Sequence, residues 1–136
     1  MHQVATLSHA DALAVVDAIR RRLTETGKAA AIAVVDVHGE LVAFLRTDGC
    51  PLPSIQNAIN KAFTAARERK PSGAIGKASR VDGFPMTNFG DLRYTGWGGG
   101  VPIVWQGAVV GAVGVSGLPE AEDAELAALG ANAVAG

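Results

Sequence analysis

Gly107-Ala-Val-Val-Gly111-Ala-Val-Gly114-Val-Ser116-Gly117-Leu-Pro-Glu-Ala-Glu122-Asp123 is a glycine-punctuated apolar run that passes directly into an acidic helix start. As a strand, its residues alternate between faces. Ala112, Gly114 and Ser116 share one side, and Val109, Gly111, Val113 and Val115 share the other. The first side is almost bare, so a helix or a ligand must lie close against it. Ser116-Gly117 ends the strand, and the free N–H groups at the following helix start suit a bound oxygen atom. Glu120, Glu122, Asp123 and Glu125 crowd that same place. They complement the helix dipole and repel a second anion unless a cation stands beside it.

Upstream, Val101 to Trp105 pairs with this strand through Gln106-Gly107 as a hairpin. Ala30 to Val35 and Leu41 to Leu45 form another across Asp36-Val-His38-Gly39-Glu40, with both strands expected to be well buried. Ser8 and Asp11 make a capping box ahead of a helix over about residues 9 to 26, with Leu13, Val16, Ile19 and Leu23 at helical spacing and Gly27 as the stop. A second helix follows Pro53-Ser54, with its apolar stripe on Ile55, Ala58, Ile59, Ala62, Phe63 and Ala66. Its other face carries Asn57, Asn60, Lys61 and Thr64 and is short of charge for a solvated surface. It is either an exposed polar face or one covered by a ligand or another subunit. Residues 71 to 100 show no sustained period and read as a long irregular segment ending in Trp97-Gly98-Gly99-Gly100, either a hinge or a ligand-contacting loop. A last helix opens at Pro119.

The chain of 136 residues is of single-domain length, spanning 1–136. Its formal net charge of -1 leaves no electrostatic footprint for nucleic acid or an anionic membrane. Cys50 is the lone cysteine, and no leader-like stretch opens the chain, so a cytoplasmic protein is expected. A positive mean hydropathy in so short a chain suggests subunit interfaces.

Gly73-Ala-Ile-Gly76-Lys77-Ala78-Ser79 lacks the spacing of a phosphate-binding loop, and a strand follows the triple glycine where a dinucleotide fingerprint needs a helix. The three histidines form no metal-ligand spacing, so no metal is expected. Asp36, His38 and Glu40 are ordinary turn residues as well as candidate ligands. His9, at a helix start, could reach a haem iron from one side. Lys61 is the isolated lysine of the low-charge helix face, able to neutralise a carboxylate or, if buried, to act as a base or imine former.

Taken in order, Val34-Val35-Asp36-Val-His-Gly39, Arg46-x-Asp48-Gly49, Ser54-Ile55 through Lys61-Ala62-x-Thr64-Ala65, Gly98-Gly99-Gly100-Val-Pro102 and Gly111 to Gly117 with Glu122-Asp123 resemble the GlcG/HbpS-like family, which includes the C-terminal domain of PduO-type corrinoid adenosyltransferases. The resemblance spans nearly the whole chain. It implies an α+β fold, an α-β-α arrangement around an antiparallel sheet of about five strands, profilin-like and assembled as homo-oligomers. Some relatives bind haem, others accompany glycolate use or the degradation of aromatic compounds. Leu118 departs from the second glycine that relatives often show, and no shared haem-ligand motif maps onto His9 or His38.

The leading expectation is a binding protein or accessory enzyme for a small organic acid. Its pocket would join Asn57, Asn60, Lys61, Trp97, Gly98, Gly99, Gly100, Ser116 and Gly117, with the glycine-loop N–H groups on the carboxylate and Lys61, Glu122 and Asp123 as the acid-base groups. The alternatives are a haem-binding module using His9 or His38, with haem as the one candidate cofactor, and a hydrolase or isomerase of unsaturated ring-cleavage acids.

Overall fold

The computed structural model describes residues 1–135, and Gly136, the last residue of the expected domain, lies outside the described residues. Helix α1 (His9–Thr26) begins at the expected box: the Asp11 N–H donates to Ser8 Oγ, and the Ser8 N–H donates to the Asp11 carboxylate. Its C-cap is Gly27 at φ 65°, a left-handed position that glycine fills without steric cost. The buried stripe keeps Val16, Ile19 and Leu23 of the expected four. Ala12, Val15, Val16, Ile19 and Leu23 face inward, while Leu13 points out at 57% exposure.

Strands β1 (Ala31–Asp36) and β2 (Leu41–Arg46) form the first hairpin, and β3 (Gly100–Trp105) and β4 (Ala108–Ser116) the second. All pair antiparallel in the order β2-β1-β4-β3, a sheet of four strands where about five were expected. β1 and β4 are central and deeply buried. β2 is an edge strand of intermediate and exposed residues, so only half of the first hairpin is buried as anticipated.

Two apolar layers cover the sheet. On one face Ile32, Val34, Ile103, Val113 and Val115 pack with α1 and with helix α4 (Glu120–Asn132). On the other, Ala31, Ala33, Val35 and Ala112 meet Ala58, Ala62, Ala65 and Ala66 of helix α2 (Ser54–Glu68). The fold is α+β with the α-β-α layering that the family resemblance implies. α2 is what lies on the bare face: a Cβ at Gly114 would stand 2.7 Å from the Ala62 nitrogen. A side chain there would push helix and sheet apart.

The segment from 71 to 100 is not wholly irregular. Helix α3 (Ser72–Val81) and a 3-10 turn, Met86–Phe89, occupy half of it. Gly73 and Gly76 hid the helix because glycine weakens helical propensity. Packing requires Gly76, since a Cβ there would meet the Gly96 backbone at 2.7 Å.

Tyr94, in the loop before β3, stacks on Phe89 at 4.1 Å and meets Phe63 edge-on at 5.4 Å, while its hydroxyl donates to Glu68 at 3.0 Å. Burial and the adjacent Glu68 carboxylate push its pKa up to about 12. It is the only tyrosine, so tyrosinate absorbance reports this one site. At pH 10.5 about three quarters of a free phenol is ionised; Tyr94 should be ionised by less than about a tenth, and Glu68→Gln should bring the midpoint down. A midpoint near 10 with the far-ultraviolet spectrum intact contradicts this placement.

Candidate functional site

Where α2, the triple-glycine loop and the start of α4 converge, a cavity of about 360 Å³ opens to the surface. Its inner wall is Lys61. The side chains of Lys61 and Asp123 are each 3% exposed, with Nζ 3.1 Å from Asp123 Oδ2. Nζ also donates to the Val115 carbonyl at 3.0 Å. Thus the helix face expected to be exposed, or covered from outside, is buried by its own chain at Lys61 and Thr64. Thr64 Oγ1 accepts the Thr95 N–H at 3.0 Å.

Asp123 is held from both sides. The Leu118 N–H donates to Oδ1 at 3.1 Å, so the turn after β4 is tied to the carboxylate. Burial pushes the Asp123 carboxyl above the usual carboxylate range, against the opposing pull of Lys61. An ammonium has three donors, and two are committed to Asp123 and Val115, which leaves one for a ligand at the cavity wall.

Ser116 and Gly117 also line the cavity, and Trp97 forms its mouth with 59% of its surface exposed. Pro51, Ser54, Leu118 and Glu120 complete the wall and were not among the expected site residues. Ser54 lies seven residues before Lys61, two helical turns along the same face of α2, and that spacing was the available signal.

Other expected residues stand elsewhere. Asn57 and Asn60 are half-buried on α2 without lining the cavity, and Asn60 accepts from Gln56 at 2.9 Å. Glu122 turns outward and pairs with Lys28, because one helical step from Asp123 carries it off the inner face. The glycine loop serves as scaffold. The Gly98 N–H donates to Glu120, the Gly100 N–H donates to Ser72 Oγ at 2.9 Å, and the Gly99 carbonyl accepts from Val115 at 2.9 Å. All three glycines are buried, and a Cβ at Gly99 would stand 2.9 Å from Lys61 Nζ. The anticipated carboxylate donors at Gly98 and Gly100 are therefore already committed. His9 and His38 are exposed and do not line this cavity; they stand at the start of α1 and on the β1–β2 turn. Among the described residues no group of three His, Cys, Asp or Glu side chains is placed to hold a metal ion.

The model of the family described as haem degrading protein HbpS-like matches residues 7–132. The chain belongs to the HbpS-like family. It is 32% identical over 129 residues to an uncharacterized 15.0 kDa protein of the dhaT-dhaS intergenic region of Citrobacter freundii, covering 92% of this chain and 89% of the other. It is 33% identical over 116 residues to protein GlcG of Escherichia coli K12, covering 81% of each. Among solved structures, Klebsiella pneumoniae ORFY superposes with a TM-score of 0.88 at 29% identity, over 98% of this chain and 93% of that one. HbpS of Streptomyces reticuli, solved as a double mutant, superposes with a TM-score of 0.87 at 27% identity, over 100% and 92%. A PduOC:heme complex shares the HbpS-like fold, with a TM-score of 0.84 at 21% identity over 96% of each chain. No described helix is long and apolar enough to cross a membrane.

Proposed function

We propose that this HbpS-like protein binds a small organic acid in the Lys61–Asp123 cavity and serves, as a homo-oligomer, as an accessory protein or enzyme of small-acid or aromatic-compound catabolism. The observation that carries the reading is the Lys61 ammonium, fixed by two acceptors at the wall of a cavity of about 360 Å³, with one donor left for a carboxylate. That volume lies at the small end of ligand pockets. Ser54 and Ser116 offer hydroxyls for further polar groups, and the Trp97 indole can cover an apolar body at the mouth. Asp123 is the group positioned to exchange a proton with the bound acid. Exposed Phe84, Leu92 and Trp97 supply apolar surface for self-association.

A thermal-shift panel of glycolate, propionate, muconate-type acids and haemin tests the reading, since a ligand that prefers the native state raises the melting temperature. At least one small acid should stabilise the protein, and Lys61→Met should weaken its binding at least about tenfold. Stabilisation by none of the acids overturns the reading. Consumption of an unsaturated acid by the protein would move it to the hydrolase or isomerase class.

Haem, bound by the PduOC relative, supports a second reading. None of the three histidines lines the cavity. Its ligand here would be exposed His9 or His38, on the outer surface. A saturable Soret shift lost in His9→Ala or His38→Ala would establish that site; its absence would dismiss it.

A further inference from the structure

We propose that the cavity takes up a small monocarboxylic acid together with one proton, the carboxylate seating on Lys61 and the proton on Asp123, and that it turns dicarboxylates away. The inference rests on the organic-acid reading above and narrows it to one charge class.

The argument starts from a count of charges. The cavity wall holds one cation, Lys61, and two carboxylates, Asp123 and Glu120. Lys61 is already compensated by Asp123 at 3.1 Å, so an arriving carboxylate would set three anions against one ammonium. Both partners are almost fully buried, and an uncompensated charge there is costly because water cannot solvate it. A proton taken from solvent onto Asp123 cancels the charge that the ligand brings and restores the balance of the empty cavity, two anions against one ammonium. The remaining Lys61 donor takes the ligand carboxylate, the neutral Asp123 still accepts from Lys61 through its carbonyl oxygen, and the new Asp123 O–H becomes a donor. No other bond forms or breaks.

Around Asp123, burial favours the neutral form, while Lys61 and the backbone N–H groups hold the charged one until a ligand anion draws on Lys61. Lys61 faces it from α2, Glu120 stands on its own helix one turn earlier, and the Leu118 N–H contacts Oδ1. The Cys50 thiol, in the loop after β2, lies close enough for the two groups to influence each other, and burial keeps that thiol protonated. Glu122 is turned outward to Lys28. Burial already biases Asp123 toward its neutral form, and a ligand anion beside it acts in the same direction. A second ligand carboxylate would find no second cation, and Glu120 on the wall would repel it.

Calorimetric titration of propionate and succinate at pH 6, 7 and 8, in buffers of differing ionisation heat, tests the proposal. Propionate should bind with uptake of about one proton, its Kd should rise about tenfold per pH unit, and succinate should bind at least about tenfold more weakly. Asp123→Asn, which keeps an acceptor for Lys61, should abolish the proton uptake and flatten the pH dependence. Glu120→Gln should narrow the gap between the two acids. Propionate binding without proton uptake, or succinate binding as tightly as propionate, overturns the proposal while leaving the organic-acid reading standing. Binding of neither acid at any pH also overturns the proposal, and the organic-acid reading falls with it only if no acid of the thermal-shift panel stabilises the protein. If Asp123→Asn does not fold, the proton count on the unaltered protein decides.

Discussion

Lys61→Met is expected to cost about 3 kcal/mol of folding stability at pH 8, and clearly less at pH 5. Methionine fills the space of the lysine stem but leaves the Asp123 carboxylate buried with only backbone N–H groups, those of Leu118 and Gly117, on it. A lone buried charge costs several kcal/mol unless it is neutralised. The sign follows from Asp123. Its folded pKa is already raised by burial, and losing the cation raises it further. An acid whose folded pKa exceeds its unfolded value contributes stability that is fully present below the unfolded pKa and is lost as pH rises through the folded one. The deficit of the variant therefore grows from pH 5 to pH 8. Pairing the change with Asp123→Leu should recover most of the stability, since replacing both ions removes the desolvation penalty, and should not recover acid binding. Urea unfolding at the two pH values checks this. A deficit that is equal at both, or a double variant less stable than Lys61→Met, contradicts the buried pair.

Gly114→Val should lose at least about 3 kcal/mol, enough to leave little folded protein at 37 °C. Gly114 lies in the second half of β4 under α2, where even the first carbon of a side chain would stand 2.7 Å from the Ala62 nitrogen and 3.2 Å from the Ala58 carbonyl carbon. Both obstacles are backbone of a packed helix, so relief requires α2 to move off the sheet, and α2 carries Lys61. Gly107→Ala is the contrast. Its φ of 78° strains any side chain, yet nothing lies within 4 Å of the added carbon, so the cost should be about 1 kcal/mol. Chemical denaturation of the two variants separates close approach from backbone strain; equal losses would mean that α2 does not rest on Gly114.

The alternation of Ala112, Gly114 and Ser116 made the most consequential feature of the fold readable, because a strand face without side chains must be covered closely. The same arithmetic placed both hairpins, and the Ser8-Asp11 box with Gly27 bounded α1. Helix α3 escaped because its glycines are required by contact with Gly96, a tertiary demand that local propensity cannot express. The burial of Lys61 escaped for a related reason. Its partner is 62 residues away on another helix, and periodicity reports faces rather than what is packed against them. The triple glycine was legible as a place of close approach, but not as packing onto Lys61 rather than onto a ligand. Glu122 and Asp123 are indistinguishable by residue type; one helical step decides that Asp123 faces the cavity and Glu122 faces Lys28.

The central claim is that a small acid is held by Lys61. The most direct measurement is a crystal structure of the protein grown with saturating propionate. The account predicts a carboxylate oxygen within about 3 Å of Lys61 Nζ, beneath the Trp97 indole. An empty cavity at that concentration, or propionate bound only elsewhere, would contradict it.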